Sequence, residues 1–363
     1  MNPRAEMIAA ERETRPLLTA KRLAVWCCWA ALLTALLAAI SPVIGEPLDL
    51  ARALRDFSFD GNYKTADGLI FWQTRLPRVL AGLVAGAGLA CSGVAYQAVL
   101  RNPLADPYIL GVSSGAAIGK AVAVLAVPAT FMAWLPVMTP ALCFVGALLP
   151  VMFLARLARS GRRFSPVVLL LAGAIINLVL SAAMMLVQVF ANPDNARQIT
   201  YWWLGGLDVT GYWTTLAVLP VMLLCIGILA WRSRVMNLLS VDMLTASHLG
   251  VNVGREVTML LGAGTVMAAA AVALCGPIGF AGLLVPHILR QLAGPDHRLL
   301  VPLSAIAGAG FLVGCDILGR RGLFWMAEAG VQLHSTSEIP AGVITALLGG
   351  PLFLALLARD SRT

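Results

Sequence analysis

Apolar stretches of about 20 residues recur along nearly the whole of this sequence, near residues 23–41, 76–100, 108–127, 134–155, 166–190, 212–231, 257–275, 277–293, 299–318 and 339–358. A helix rising about 1.5 Å per residue needs about 20 of them to cross about 30 Å of hydrocarbon. Inside lipid every backbone polar group must find its partner within the protein, so a chain built this way folds as a bundle of membrane-spanning helices. Composition agrees: 59% of the 363 residues are hydrophobic and only 12% charged, too little polar surface to cover a soluble globule of this size. The expectation is an all-α polytopic membrane protein with about ten transmembrane helices, flanked by tails at 1–22 and 359–363. Among the ten, 277–293 is the weakest candidate, being short and interrupted by Gly and Pro.

An even number of spans leaves both termini on one side, and the basic residues say which. Seventeen of the 26 Lys and Arg lie in the tails and in alternate loops, eight lie in the opposite loops, and Lys120 is left inside a span. The tails and their loops are therefore expected in the cytosol. The net charge of +8 follows from this distribution, and nothing in it calls for nucleic acid. The first stretch is too long, and its preceding residues too mixed in charge, for a cleaved signal peptide, so it is expected as a retained anchor. The seven cysteines sit in or beside spans without metal-ligand spacing, and read as small apolar packing residues.

Residues 232–256 form the one long amphipathic segment between apolar blocks on the expected cytosolic side. Leu238, Leu239, Val241, Met243, Leu244 and Leu249 alternate there with polar residues, and Gly250 supplies a helix stop. One or two short helices outside the bilayer are expected, either resting on lipid or presented to a soluble partner. In RNPLADPYILGVSSG, Asn102 and Asp106 precede prolines and suit turn initiation, and the loop is apolar enough to fold back toward the mouth of a path.

Small residues spaced four apart, Gly82 and Gly86 in the second stretch and Gly111, Gly115 and Gly119 in the third, predict close helix packing. Gly205 and Gly206 suggest a break after a short outer helix, and residues 323–333 another short amphipathic helix. CGPIGFAGLLVPHILR carries Gly and Pro where helix should be regular, a pattern tolerated where backbone is buried in protein or lines a water-filled path. His287, within it, has no second ligand at metal spacing and reads as a hydrogen-bonded structural residue. No phosphate-binding loop, nucleophile elbow or zinc-protease motif occurs.

Several stretches go further: RLPR at residues 75–78, NPLADPYILGVSSG, LLSVDMLTASHLGVNV, GPIGFAGLLVPHILR, DHRLLVPLSAIAGAGFLVGCDILGR and EIPAGVITALLGGPLFLALL. Together these resemble the FecCD-type permeases, the membrane subunits of binding-protein-dependent ABC importers for iron siderophores, haem and cobalamin. The resemblance implies a homodimer of ten-helix subunits in the bacterial inner membrane, two ATPase subunits below and a periplasmic binding protein above. It implies no cofactor on this chain, ATP and magnesium being used by the separate ATPase. It assigns ATPase coupling to the segment holding Leu239, Met243, Leu249 and Gly250. A cytosolic gate falls on Asn102, Leu104, Phe164 and Ser165, and docking of the binding protein on Arg75, Arg78 and Arg320.

Lys120 departs from the family's small or apolar residue at its position, and is a candidate path residue favouring anionic chelates. The expected function is thus transport of a metal chelate without bond chemistry. Iron siderophore is the first expectation on the breadth of the family, with cobalamin and haem close behind; RQITYWWLGG looks more like the cobalamin permeases. An ion-coupled secondary transporter is the alternative, opposed by the scarcity of carboxylates in the spans.

Overall fold

The structure, a computed structural model, describes residues 20–45, 48–58, 63–127, 130, 134–159, 166–328 and 338–360. Among these residues there is no strand. The helices are α1 (Ala20–Ile40), α2 (Leu50–Arg55), α3 (Ala66–Ile70), α4 (Leu76–Leu100), α5 (Val112–Leu125), α6 (Leu135–Arg159), α7 (Pro166–Phe190) and α8 (Pro193–Trp203). They continue with α9 (Trp213–Trp231), α10 (Ser233–Val241), α11 (Met243–His248), α12 (Val253–Cys275), α13 (Ala281–Ala293), α14 (His297–Glu328) and α15 (Ala341–Asp360). Each of the ten apolar stretches coincides in whole or in part with one of these helices.

Among the described residues seven helices are long and apolar enough to cross a membrane: α1, α4 with its N-terminal extension, α6, α7, α9, α12 and α14. α5 and α15 are shorter apolar helices. The stretch 277–293 is not a full span. Only its 13 residues in α13 are helical, about 20 Å at the helical rise, and residues 276–280 form a non-helical apex between α12 and α13. The expected separate helix at 323–333 is also corrected, because α14 runs unbroken for 32 residues to Glu328, and positions beyond 328 in that stretch lie outside the described residues.

The bundle is built around α4, which is buried along almost all its length. Its sequence explains why. Lipid gives helices no hydrophobic reason to associate, so they gain by bringing backbones close enough for dense van der Waals contact, and that needs glycine at the crossings. Gly86 lies against the backbone of Gly308 in α14, Gly88 against Met222 of α9, and Gly93 against Gly282 of α13. A second crossing of the same kind joins α5 to α6 through Gly115, Gly119 and Gly146. The outer faces of α7 and α9 carry Leu171, Leu178, Phe190, Leu223 and Leu224 exposed, as a lipid-facing surface should.

Pro77 shapes the outer end of α4. A proline has no N–H for the carbonyl four residues back, here that of Gln73. The chain turns through a π-helical segment at Phe71–Arg75, where the Leu76 N–H reaches the Phe71 carbonyl. The carbonyls of Trp72 and Gln73 are thereby released. The Tyr212 hydroxyl donates to the first at 2.7 Å, and the Gly211 N–H donates to the second at 2.9 Å. These bonds fasten the connection before α9 to the head of α4.

Candidate functional site

α10 and α11 form a short helical pair between α9 and α12, broken at Asp242, whose backbone is extended (φ −160°, ψ 135°). The break is a helix cap: the Asp242 carboxylate accepts from the Thr245 N–H at 2.9 Å and from the Thr245 hydroxyl at 3.1 Å. Those bonds hold its carboxyl below the usual range. α11 ends at Gly250, whose φ of +85° is the left-handed turn that a glycine takes without cost.

The pair is anchored from beneath. Asn237 of α10 donates to Asp296 at 2.9 Å and accepts from the His297 backbone N–H at 2.9 Å, joining α10 to the start of α14. Partial burial opposes the charge on Asp296, yet hydrogen bonds from Arg298 and Asn237 hold its carboxyl at about 2.

This anchoring decides which side chains the segment presents. Leu239 is fully buried, packed with Met236 in the main core, and Met243 is half-buried. Leu239 was expected as a partner contact; the helical spacing of Ser233, Met236 and Leu239 instead turns it inward. Outward stand Val241, Leu244 and Leu249, exposed by 76%, 70% and 64%. Gly250 is exposed beside them, with open space around its Cα.

The loop after α4 meets this segment directly. Arg101 caps α4 in the left-handed conformation, φ +50°, and its guanidinium pairs with Asp242 at 3.2 Å. In the loop, Asn102 accepts from the Leu104 N–H at 2.9 Å and Asp106 from the Tyr108 N–H at 2.8 Å, the two expected turn-forming contacts. A 3-10 turn, Pro107–Leu110, then carries Tyr108 inward, where its hydroxyl accepts from the Ile278 N–H at 3.1 Å. The loop therefore folds back into the bundle and holds the α12–α13 apex. Asn102 and Leu104 are half-buried in it; Phe164 and Ser165 lie outside the described residues.

Burial raises the Asp106 carboxyl from 3.8 to about 6, against the bond from Tyr108 N–H. A carboxyl so raised takes up protons in the folded state first, so stability falls as pH rises from 3.8 through about 6. Asp106→Asn keeps the acceptor and removes the charge. Its melting temperature should exceed wild type at pH 8 and approach it at pH 4; equal melting temperatures at pH 8 would contradict the assignment.

At the opposite end, the three arginines expected to dock a binding protein are brought together, but each is engaged within the chain. Arg78 pairs with Asp316 at 2.8 Å and with Glu338 at 2.5 Å. Arg320 pairs with Asp316 at 3.0 Å and donates to the Ser41 and Ile44 carbonyls at 2.9 Å. Arg75 donates to the Pro42 carbonyl at 3.0 Å. Arg75 and Arg320 are each only 9% exposed, so these two tie the turn after α1 to α4 and α14. Lys120 is half-buried on α5, near Cys143 of α6.

Sequence reasoning missed Arg101, Asp242, Asn237 and Asp296. The signal for two of them was present: Asp242 stands three residues before Thr245 at a break in an apolar pattern, and Arg101 follows the last apolar residue of a span. Among the described residues no group of three His, Cys, Asp or Glu side chains could hold a metal ion.

The FecCD transport family matches residues 30–359. The vitamin B12 import system permease protein BtuC of Klebsiella pneumoniae subsp. pneumoniae is 40% identical over 306 residues, covering 83% of this chain and 86% of that protein. BtuC of Escherichia coli K12 is 40% identical over 307 residues, covering 83% and 88%. A solved structure described as an inward-facing conformation of a metal-chelate type ABC transporter superposes with a TM-score of 0.76 at 30% identity, covering 93% of this chain and 99% of that one. A membrane-embedded helical bundle with a family match over nearly its full length, and with relatives of this identity, is a transport component, and the chain belongs to the FecCD transport family.

Proposed function

We propose that this chain is the permease subunit of a binding-protein-dependent importer that moves cobalamin across the bacterial inner membrane, driven by ATP hydrolysed on a separate subunit. The observation that carries the importer reading is the coupling segment. Val241 at the end of α10, Leu244 on α11 and Leu249 just after it are exposed around the Asp242 cap, which Asn237 and Arg101 fasten to the bundle, and large apolar side chains held outward beside a membrane domain suit a soluble partner. Asp316, the carboxylate deep at a span end, is committed to two arginines, which argues against an ion-coupling site.

Cobalamin is favoured over siderophore and haem by the identity to vitamin B12 permeases and by the RQITYWWLGG stretch after α7. On this reading two copies enclose the path, two ATPases meet α11, and a periplasmic binding protein covers the Arg78 end. The gate residues are Asn102, Leu104, Phe164 and Ser165.

Leu244→Asp with Leu249→Asp should leave the permease folded, with an unchanged melting temperature, while ATPase association drops at least tenfold. That is about 1.4 kcal/mol, within the range for losing apolar contacts at an interface centre. Normal association in this variant would remove α11 from the coupling surface. Vesicles holding the assembled importer should accumulate labelled cobalamin and not ferric siderophore or haem; the opposite preference would overturn the ligand assignment. Lys120 is proposed at the path, so Lys120→Met should change the rate of cobalamin uptake while leaving ATPase association and the melting temperature unchanged. Unaltered uptake would place it elsewhere.

A further inference from the structure

A groove of about 1680 Å³ opens between α6 and α12 at the end of the bundle that carries α11. Its walls are apolar, with Leu148, Val151 and Met152 from α6 facing Leu261 and Val266 from α12. Its mouth is not. Among the described residues its lining includes Arg101, Arg156 and Arg255 against one acidic residue, Asp242, so its formal charge is basic at the end where the spans leave the bilayer.

The floor holds Gly262, exposed, with nothing within 4 Å of the position a Cβ would take. This glycine is unlike those of α4. No neighbouring helix needs its smallness, so its effect is to keep the groove deep.

We propose that this groove seats one anionic phospholipid of the leaflet at the coupling-segment end, its phosphate between Arg156 and Arg255 and its acyl chains along Gly262. Charge and shape both select that occupant. Arginine forks match phosphate oxygens, and a basic rim over a hydrocarbon-depth cleft is the arrangement that distinguishes an anionic headgroup from a zwitterionic one. The volume exceeds the roughly 300–1,000 Å³ of a drug-sized ligand site, which suits a two-chain lipid. Met243, Leu244 and Ser247 of α11 complete one wall, so the lipid would brace the coupling helix against the membrane domain.

The test uses the full-length permease alone, purified after incubation with vesicles of equal parts phosphatidylglycerol and phosphatidylcholine, with retained lipid read by native mass spectrometry. It needs no ATPase and no chelate, so its failure is distinct from failure of the importer reading. Wild type should retain phosphatidylglycerol in preference to phosphatidylcholine. Arg156→Gln with Arg255→Gln should lower that preference about tenfold or more, the expected effect of removing two cations at the membrane surface. Gly262→Phe, whose Cβ meets no neighbour and whose ring would occupy the cleft, should expel both lipids while leaving the melting temperature near wild type.

Unchanged phosphatidylglycerol retention in both variants would overturn the proposal. Equal retention of the two lipids by wild type would reduce the groove to ordinary lipid contact and also overturn it.

Discussion

Gly93→Leu should yield no folded permease. A Cβ on residue 93 would stand 2.5 Å from the carbonyl carbon of Gly282 and 2.9 Å from its Cα, far inside van der Waals contact with backbone that has no rotamer to change. Gly282 is itself close to α4, with the Leu89 carbonyl oxygen 2.9 Å from its own Cβ position, so α13 cannot slide toward a looser fit. Separating the two helices would open the buried contacts of the apex, which Tyr108 and Gly205 hold from other sides. Overpacking of a yielding core costs about 1–3 kcal/mol, and a clash between two backbones exceeds that range. Size-exclusion chromatography of a fluorescent fusion should show aggregate for Gly93→Leu and a clear loss even for Gly93→Ala. The control is Gly262→Ala, on an open face, which should gain stability from helix propensity, about 0.8–1 kcal/mol. Similar behaviour of the two alanine variants would show that the α4–α13 crossing is looser than described.

Asp316→Ala should be nearly as damaging, by a different route. The carboxylate, 2% exposed, is the shared partner of Arg78 and Arg320. Removing it leaves two guanidinium groups in a confined space, with Glu338 ion-paired to Arg78. Breaking a buried pair by deleting one partner costs about 3–5 kcal/mol, because the orphaned charge stays out of water. Arg320→Met in the Asp316→Ala background should recover part of the loss, since it removes one stranded cation, and a double-mutant cycle on melting temperature would measure the coupling. Strict additivity of the two changes would refute the pairing. The same burial alters how docking at this end must be tested. Charge reversal of Arg75, Arg78 or Arg320 would disturb the fold first, so Glu338, whose side chain is 45% exposed, is the position of this cluster at which a binding-protein contact can be changed cleanly.

The sequence carries the helices and much less of their pairing. Apolar length places the ten stretches, and Gly–Pro interruption marks the stretch that proves to be half a helix, since both signals act locally. Amphipathic character alone does not give the phase of the helix at Leu239; Ser233, Met236 and Leu239 recur at spacing three and define the buried side. The contacts of Arg101 with Asp242, 141 residues apart, and of Arg78 with Asp316, 238 residues apart, have no local trace. Positive charge at span ends is common, and only the folded chain says which arginine meets which acid. Arg75, Arg78 and Arg320 illustrate the point: the resemblance names three residues that lie together, while their internal bonds emerge only from tertiary packing.

The carbonyls set free by Pro77 have a mechanical consequence. From Ala66 to Leu100 the chain runs as one continuous rod of 35 residues, about 50 Å long. At one tip it grips the 204–212 connection through Trp72 and Gln73, and just past the other it is linked to the α11 cap through Arg101. Rocking such a lever by about 5° about its midpoint displaces each tip by about 2 Å, in opposite senses. A push on one face of the membrane thereby becomes a pull on the other, without any helix having to bend.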